Sequence, residues 1–391
     1  MAPKILITGL NGYLAGRTAE TVLKAGYDVR GTVRRLATGD KVKDTLAGIG
    51  YPEDRIDVVE VPDMTVPGAF DEAVKGCHAI LHLAAPLGEL YGQTTPPEIV
   101  RKTTSSTWGL LESAEEHAGD GLASVVYMSS VAAMFEVEAE PRRHDETDWN
   151  KLAERAVEEL GVEAGPFNAY CAAKTASEKM VWRFREEKKP KFGVTAVQAR
   201  YVSPSSSYSL PPPFIATSWF ETASHIYLSS HTNLLVMPRN SYIIGPPVVP
   251  WPTKEQIHIT VSQIWQVVAG VEPMALPTYQ SYVDVRDVAR VLVWAALHPE
   301  AADGERLLCS GGRGGGQAFA DILAKYVDGE KEWDGIQLWK GTPGQGYTEG
   351  YGPYPGELWL DAGKAVRVTG QDWMPLETSV IESAEFLKRY L

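Results

Sequence analysis

The amino-acid sequence predicts an α/β protein: a Rossmann-type, doubly wound parallel sheet with a smaller, irregular C-terminal substrate lobe. Three observations indicate this fold class. Short apolar runs alternate with helical stretches through the first half of the chain, a glycine-rich turn follows the first run, and the last third mixes helices with Gly- and Pro-rich loops. Such alternation is typical of a parallel sheet covered by helices on both faces.

The predicted strands are continuous apolar runs, as expected for strands buried on both faces of a sheet. They lie at 4–8, 28–33, 57–61, 79–84, 124–129 and 193–198. Helical patterns are found at 13–25, 167–188, 285–297, 317–326 and 378–391. We therefore divide the chain into a dinucleotide-binding domain with the catalytic residues (1–199), an atypical Ser/Pro-rich insertion (200–240), and a substrate lobe interleaved with the last sheet elements (241–391).

Composition excludes several classes of protein. A formal net charge of -13 argues against a general nucleic-acid binder, because phosphate binding needs clustered Lys and Arg. No apolar run is long enough to cross a bilayer, and the N-terminus lacks the pattern of a signal peptide. The three cysteines are widely spaced and the histidines show no ligand spacing, so we expect reduced thiols and no metal. We expect a cytoplasmic monomer or homodimer that acts on a small molecule.

The run Thr8-Gly-Leu-Asn-Gly-Tyr-Leu-Ala-Gly16 joins the first strand to the first helix. In a dinucleotide-binding turn the first glycine permits a tight turn, the second lets the backbone approach a pyrophosphate, and the third permits close packing of helix and strand. The N–H groups and the positive end of the helix dipole then face the phosphates. A simple turn is the alternative. The predicted cofactor contacts in this run are Thr8, Gly9, Asn11, Gly12, Tyr13, Leu14 and Gly16.

The end of the second strand indicates which dinucleotide is bound. An acidic residue there would bind the ribose 2′-hydroxyl of NAD and repel the 2′-phosphate of NADP. This chain has Arg34 and Arg35 instead, with Lys41 close behind and no carboxylate before Asp40. Arginine suits a phosphate because its planar fork donates paired hydrogen bonds, so NADP(H) is favoured, with two solvated surface arginines as the alternative.

After the third strand, Asp63 and Met64 are predicted cofactor contacts by their position, because a carboxylate there can accept a hydrogen bond from the adenine amine.

Further along the chain, Tyr170-Cys-Ala-Ala-Lys174 puts a phenol and an ammonium on one helix face. A free tyrosine is a poor acid–base group near neutral pH, but an adjacent cation favours its phenolate. Tyr170 can then donate a proton to a carbonyl oxygen, while Ser130, after the fifth strand, hydrogen-bonds the same oxygen.

Together these residues resemble the extended short-chain dehydrogenase/reductase family, and within it the branch of dihydroflavonol reductases, cinnamoyl-CoA reductases and fungal aldehyde or ketone reductases. The resemblance is carried by Gly9/Gly12/Gly16, Gly31–Arg34, Leu83–Pro86, Ser129-Ser130, Asp145-Glu146, Asp148-Trp149, Tyr170/Lys174, Ile244–Pro247, Tyr282–Ala289 and Cys309–Gly312. It implies Ser130, Tyr170 and Lys174 as the catalytic group. It also implies cofactor contacts at Arg34 and Lys41 with the 2′-phosphate, at Lys174 with the nicotinamide ribose, at Tyr170, and at Leu83, Ala84 and Ala85.

Two departures from this branch stand out. Many relatives carry Asn-Gly-Thr on the fourth helix where this chain reads Ser105-Ser-Thr107, which leaves any proton relay through that Asn in doubt. Relatives also lack segment 200–240, whose removal would leave a family-like junction. The segment is therefore either a lid-like insertion or a retained intron translated in frame.

The sequence thus predicts an NADPH-dependent carbonyl reductase that converts an aldehyde or ketone into an alcohol, with secondary metabolism as one setting. A nucleotide-sugar epimerase or dehydratase on the same fold is an alternative, although Arg34 and Arg35 argue against it. A hydroxysteroid dehydrogenase is a second alternative. A catalytically impaired NADP-binding protein is a third, because segment 200–240 follows the sixth strand.

Overall fold

The computed structural model describes residues 2–86, 94–136, 142–199, 242–273, 280–344 and 359–391. Twelve strands are found within these ranges: β1 (Lys4–Thr8), β2 (Asp28–Val33), β3 (Ile56–Glu60), β4 (Cys77–His82), β5 (Ser124–Met128), β6 (Arg143–His144), β7 (Gly193–Gln198), β8 (Tyr242–Ile244), β9 (Gln280–Asp284), β10 (Arg306–Leu308), β11 (Gly312–Gly314) and β12 (Trp359–Leu360).

The same ranges contain twelve α-helices. These are α1 (Tyr13–Lys24), α2 (Leu36–Gly48), α3 (Asp71–Val74), α4 (Pro96–His117), α5 (Leu152–Leu160), α6 (Gly165–Lys188), α7 (Ile259–Val268), α8 (Val285–Leu297), α9 (Pro299–Ala302), α10 (Gly316–Tyr326), α11 (Gly363–Thr369) and α12 (Leu376–Leu387). Short 3-10 turns occur at Glu53–Arg55, Val131–Ala133, Gly161–Ala164, Lys254–Gln256, Lys331–Trp333 and Lys388–Tyr390.

Seven strands form the central sheet in the order β10-β7-β5-β4-β1-β2-β3. Each neighbouring pair in it is parallel. Helices cover both faces, which confirms the predicted Rossmann-type α/β class. Since all strands run the same way, their carboxyl ends meet at one edge, where ligands of such sheets bind.

The predicted bounds of β1, β2, β7 and α8 are confirmed, and most others shift by one or two residues. The clearest difference concerns β4, predicted to reach Ala84 but ending at His82. The backbone N–H groups of Leu83 and Ala84 donate to the Thr8 hydroxyl instead of to a neighbouring strand. A side-chain acceptor thus ends the strand at the edge where the cofactor was predicted to lie.

One apolar cluster joins the first face of the sheet to the C-terminal helices. It contains Ile7 of β1 and Leu14 of α1 together with Val288, Phe319 and Leu387 of the last third. A second cluster lies on the other face, where Ile80, Leu110 and Phe184 pack β4 against α4 and α6. The C-terminal helices therefore share the core of the first sheet.

The C-terminal part adds two small sheets around the central one. The first has the order β11-β9-β8, with β8 parallel and β11 antiparallel to β9, and the second pairs β12 with β6 in parallel. Strand β10 joins the central sheet itself, beside β7. Segment 200–240, which the sequence marks as an insertion or a retained intron, lies outside the described residues.

Cys77, Cys171 and Cys309 form no disulfide within the described ranges, and all are buried. In the described ranges, no helix combines the length and apolarity that a bilayer crossing demands. Nor do those ranges bring together three His, Cys, Asp or Glu side chains able to hold a metal ion.

Candidate active site

The carboxyl end of β5 meets the N-terminal half of α6. Ser130 follows this strand and begins the 3-10 turn at Val131. The Tyr170 hydroxyl donates a hydrogen bond to Ser130 Oγ at 2.9 Å, and the Ala132 N–H donates to the same oxygen at 3.1 Å. Because Ser130 Oγ accepts both bonds, its own hydrogen is available for a third oxygen. The two hydroxyls predicted to act on one substrate oxygen are therefore adjacent.

Lys174 lies one helical turn beyond Tyr170 and is only 5% exposed. Its Nζ donates to the main-chain oxygen of Met128 at 2.7 Å and to the Tyr127 hydroxyl at 3.3 Å. The same Nζ lies 4.8 Å from the centre of the Tyr127 ring. Burial lowers the pKa of Lys174 to about 8, against the opposing charge of Glu178. The ammonium is thus held against β5 and loses its proton in mildly alkaline solution.

The residues between Tyr170 and Lys174 explain how α6 comes so close to the sheet. Cys171, Ala172 and Ala173 are small and at most 1% exposed. Cys171 and Ala172 pack in a cluster with Ala132, and Ala173 packs in another cluster with Ile99 of α4. Cys171 is therefore a packed thiol beside the site.

Thr8 ties the ends of β1 and β4 together. Its Oγ1 accepts the N–H groups of Leu83 and Ala84 at 3.0 and 2.9 Å and lies 2.9 Å from Nδ1 of His82. A hydroxyl that accepts two N–H groups has one hydrogen left to donate, so it donates to Nδ1 and His82 carries its proton on Nε2. Burial lowers the pKa of His82 to about 3, so this histidine is a neutral core residue.

The glycine turn after β1 is tight and leads into a helix whose start no side chain caps. Gly9 has a φ of +70°, and a Cβ added to it would lie 3.1 Å from the Cβ of Ala84. Gly12 precedes α1, and no side chain caps that helix or places an acid in its first turn. The N–H groups at the start of α1 and the positive end of the helix dipole are thus left for an anion.

In the segment Thr8–Gly16, which the sequence predicts to contact the cofactor, the other side chains mainly pack within the protein. The Tyr13 hydroxyl donates to the main-chain oxygen of Gly245 at 2.6 Å, and Leu14 is 3% exposed. Both can reach a phosphate only through their main-chain N–H groups. A Cβ added to Gly16 would meet its nearest neighbour, Val249, at 3.7 Å, an ordinary contact. The third glycine therefore does not provide the close helix–strand approach that was expected there.

Arg34 and Lys41, predicted to bind the 2′-phosphate, are both exposed, and Asn11 is exposed as well. Neither cation forms an ion pair with any residue that the structure describes. Hydrogen bonds from Thr65 lower the pKa of Asp63, and the charges of Lys102 and Arg34 add to this effect. Arg34 and Asp63 follow the parallel strands β2 and β3, so the two predicted contacts lie at one sheet edge. One oxygen of Asp63, Oδ1, already accepts from the N–H and the hydroxyl of Thr65.

The remaining predicted contacts lie close to these groups. Met64 is partly buried against the second core cluster. Leu83, Ala84 and Ala85 are half-buried directly after β4, where Ala84 faces Gly9. The structure therefore brings the predicted catalytic residues together at one strand end and the predicted nucleotide contacts together at the neighbouring ends.

Two residues beside the catalytic group were missed from the sequence. Tyr127 contacts Lys174 from the middle of an apolar strand, and its hydroxyl was the available signal, because a buried phenol needs a hydrogen-bond partner. Glu178 lies four residues after Lys174, a spacing that places it on the same helix face. It is fully buried and bound by four side chains.

The chain is similar in sequence and in fold to several known reductases. NADPH-dependent methylglyoxal reductase GRE2 of Saccharomyces cerevisiae is 24% identical over 330 residues, which cover 82% of this chain and 81% of that protein. Aldehyde reductase 2 of Sporidiobolus salmonicolor is 32% identical over 205 residues, covering 50% of this chain and 57% of that protein. The crystal structure of the yeast methylglyoxal/isovaleraldehyde reductase Gre2 with NADPH has a similar fold, with a TM-score of 0.71, 22% identity, and coverage of 99% and 98%.

The parallel sheet is that of an extended short-chain dehydrogenase/reductase, as the sequence predicted. The model of the NAD dependent epimerase/dehydratase family matches residues 5–217, more than half of the chain. The chain belongs to that family.

Proposed function

We propose that this protein reduces an aldehyde or ketone to an alcohol with NADPH, and that Tyr170 donates the proton. The chain is an NADP-dependent oxidoreductase, and its cofactor is NADP(H). The observation that carries the proposed reaction is the Tyr170–Ser130 hydrogen bond with the Lys174 ammonium one turn away. Methylglyoxal and aldehyde reductases among the relatives support a carbonyl substrate.

NADPH supplies the hydride when it is bound. The carbonyl oxygen accepts hydrogen bonds from Ser130 and Tyr170, and Tyr170 transfers its proton to that oxygen as the carbon is reduced. The product is a neutral alcohol and a Tyr170 phenolate. The nearby ammonium of Lys174 stabilises this phenolate, and Ser130 stabilises negative charge that develops on the substrate oxygen.

The cofactor would be held at the neighbouring strand ends. In this proposal the turn at Gly9 and Gly12 and the uncapped start of α1 hold the pyrophosphate. Arg34 and Lys41 hold the 2′-phosphate, and Asp63 accepts a hydrogen bond from the adenine. Lys174 reaches the nicotinamide ribose, and residues 83–85 line the site between ribose and pyrophosphate. We propose a cytoplasmic monomer or homodimer with secondary metabolism as its setting.

The test is the loss of NADPH absorbance with a panel of aldehydes and ketones, with NADH as the matched control. We expect turnover of at least one carbonyl and a clear preference for NADPH. No turnover of any carbonyl contradicts the proposed reaction. Equal rates with NADPH and NADH contradict the role of Arg34.

A further inference from the structure

Three successive turns of α6 contact three successive residues at the end of β5. Tyr170 bonds to Ser130, Lys174 bonds to Met128, and the third turn places Glu178 against Ser129, whose hydroxyl donates to Glu178 Oε2. The spacing of four residues puts the three side chains on one helix face. The first two belong to the proposed catalytic group, and the third, Glu178, contacts Ser129, the residue immediately before Ser130.

Glu178 is fully buried, and its carboxylate is saturated with donors. Oε1 accepts from Gln198 Nε2 and Arg306 Nε, both at 2.6 Å, and from Trp182 Nε1 at 3.3 Å. Gln198 belongs to β7, Arg306 to β10 and Trp182 to α6, while Ser129 directly follows β5. The carboxylate therefore joins α6 to three neighbouring strands, β5, β7 and β10. A buried charge of this kind is held in one geometry, because any movement would leave it unpaired.

Arg306 extends the connection to the segment Asp145–Trp149. Its Nη1 donates to the main-chain oxygens of Glu146 and Asp148 at 2.5 and 2.7 Å. Its guanidinium carbon lies 3.9 Å from the centre of the Trp149 ring. The segment that carries part of the family resemblance is therefore connected to the catalytic helix through Arg306 and Glu178.

We propose that Glu178 is a positioning residue of the catalytic centre, which holds Ser130 and Lys174 in register with Tyr170. The inference rests on the proposed reductase function, because it assigns a role within that reaction. Its bond to Ser129 fixes the strand end from which Ser130 projects. Its negative charge, one turn from Lys174, favours the ammonium form of that lysine.

A purely structural ion pair with Arg306 is the competing explanation, and it predicts a different response. Among the described residues, the charged groups that face Glu178 are Lys174 on its own helix and Arg306 on β10. Tyr127 of β5 and Ser129, directly after β5, also face it and are uncharged. Loss of a structural pair lowers stability alone. Loss of a positioning residue also changes kcat and the pH at which Lys174 loses its proton.

Glu178→Gln removes the charge and keeps the size of the side chain. We expect kcat to fall by about tenfold to a hundredfold, because small displacements of reacting groups are costly. The alkaline limb of kcat/KM against pH should move to lower pH, because Lys174 loses the charge that favours its ammonium form. NADPH affinity, measured by fluorescence below the pKa of Lys174, should change little. Unchanged kcat and an unchanged alkaline limb would overturn the proposal.

Ser129→Ala tests the connection without removing the charge, and it covers the case in which Glu178→Gln does not fold. We expect roughly tenfold lower kcat with the alkaline limb in place, because a hydrogen bond to a charged group is lost. Wild-type kcat in this variant contradicts the positioning of Ser130.

Asp287→Asn is the matched control, because Asp287 is a buried carboxylate that accepts from Met374 N–H and pairs with Arg290. It should leave kcat and the alkaline limb of the pH profile unchanged; a shifted limb here contradicts the inference. A wild-type protein without turnover refutes the reductase function itself, whereas active wild type with unaffected variants refutes only the role of Glu178.

Discussion

The catalytic centre and the predicted 2′-phosphate site are built in opposite ways. Ser130 and Lys174 are buried and hydrogen-bonded to the protein, so their positions are fixed before a substrate arrives. Arg34 and Lys41 are exposed and form no ion pair within the described ranges. An exposed cation of this kind is ordered by its ligand. Changes at the first site should therefore alter rate, and changes at the second should alter cofactor affinity and preference.

The largest expected effect tests the catalytic side. Tyr170→Phe removes the proposed proton donor, and kcat should fall by about 10²- to 10⁴-fold, the usual contribution of an acid catalyst. The dissociation constant for NADPH should stay close to that of the wild type, because the substitution keeps the ring and every residue proposed to hold the phosphates. Steady-state rates and fluorescence titration measure the two quantities.

Tyr326→Phe is the matched control for this substitution. The Tyr326 hydroxyl bonds to Glu385 at 3.1 Å in the C-terminal part, away from β5. Its removal should leave kcat unchanged. Retained turnover in Tyr170→Phe would show that another group supplies the proton.

The next largest effect tests the cofactor side. Arg34→Ala should lower kcat/KM for NADPH by roughly tenfold to a hundredfold, because a charge-assisted bond to the 2′-phosphate is lost. The same parameter for NADH should hardly change. Arg183→Ala, which removes an exposed arginine paired with Glu187 on α6, is the control. Equal losses with both cofactors would rule out a specific contact of Arg34 with the 2′-phosphate.

The pH dependence of the reaction further distinguishes the two sites, because a buried cation that titrates lies in the proposed catalytic group and not in the predicted 2′-phosphate site. The pKa of Lys174 is lowered to about 8 by burial, so its ammonium form is present below this pH and is lost above it. The kcat/KM for carbonyl reduction should therefore fall by about tenfold per pH unit above the pKa.

Tyr127→Phe identifies the group that causes this alkaline limb. It removes a hydrogen-bond acceptor of the ammonium and keeps the ring. The limb should move to lower pH, because the charged form of Lys174 loses a partner. If the kcat/KM of the wild type stays constant through pH 8 and above, the protonation of Lys174 does not control the rate.

The sequence predicted the sheet, and the grouping of the proposed catalytic residues at one strand end, because both depend on short-range patterns. Apolar runs identified β1, β2 and β7 at their observed bounds, and a four-residue spacing put Tyr170 and Lys174 on one helix face. Ser130 was found because it follows β5 at the edge where ligands bind.

Contacts between distant parts of the chain could not be predicted in the same way. The end of β4 depends on the Thr8 hydroxyl, 75 residues away from Leu83 in the chain. Glu178 is bound by Arg306, 128 residues further on. The i+4 spacing from Lys174 marks Glu178 as a residue of the catalytic face, but its donors come from strands whose order only the folded sheet reveals.

The smallest effect is expected for alanine substitutions at two glycines that both have a positive φ. Gly9 and Gly26 have φ values of +70° and +89°, but an added Cβ meets Ala84 at 3.1 Å at Gly9 and no atom within 4 Å at Gly26. Alanine at either position should reduce stability by roughly 1–2 kcal/mol, measured by denaturant unfolding, because the left-handed conformation disfavours a Cβ. Only Gly9→Ala should raise the dissociation constant for NADPH, because only that methyl group lies between the turn and Ala84. If Gly26→Ala raises the dissociation constant for NADPH equally, strain in α1 controls cofactor affinity and the contacts of the glycine turn do not.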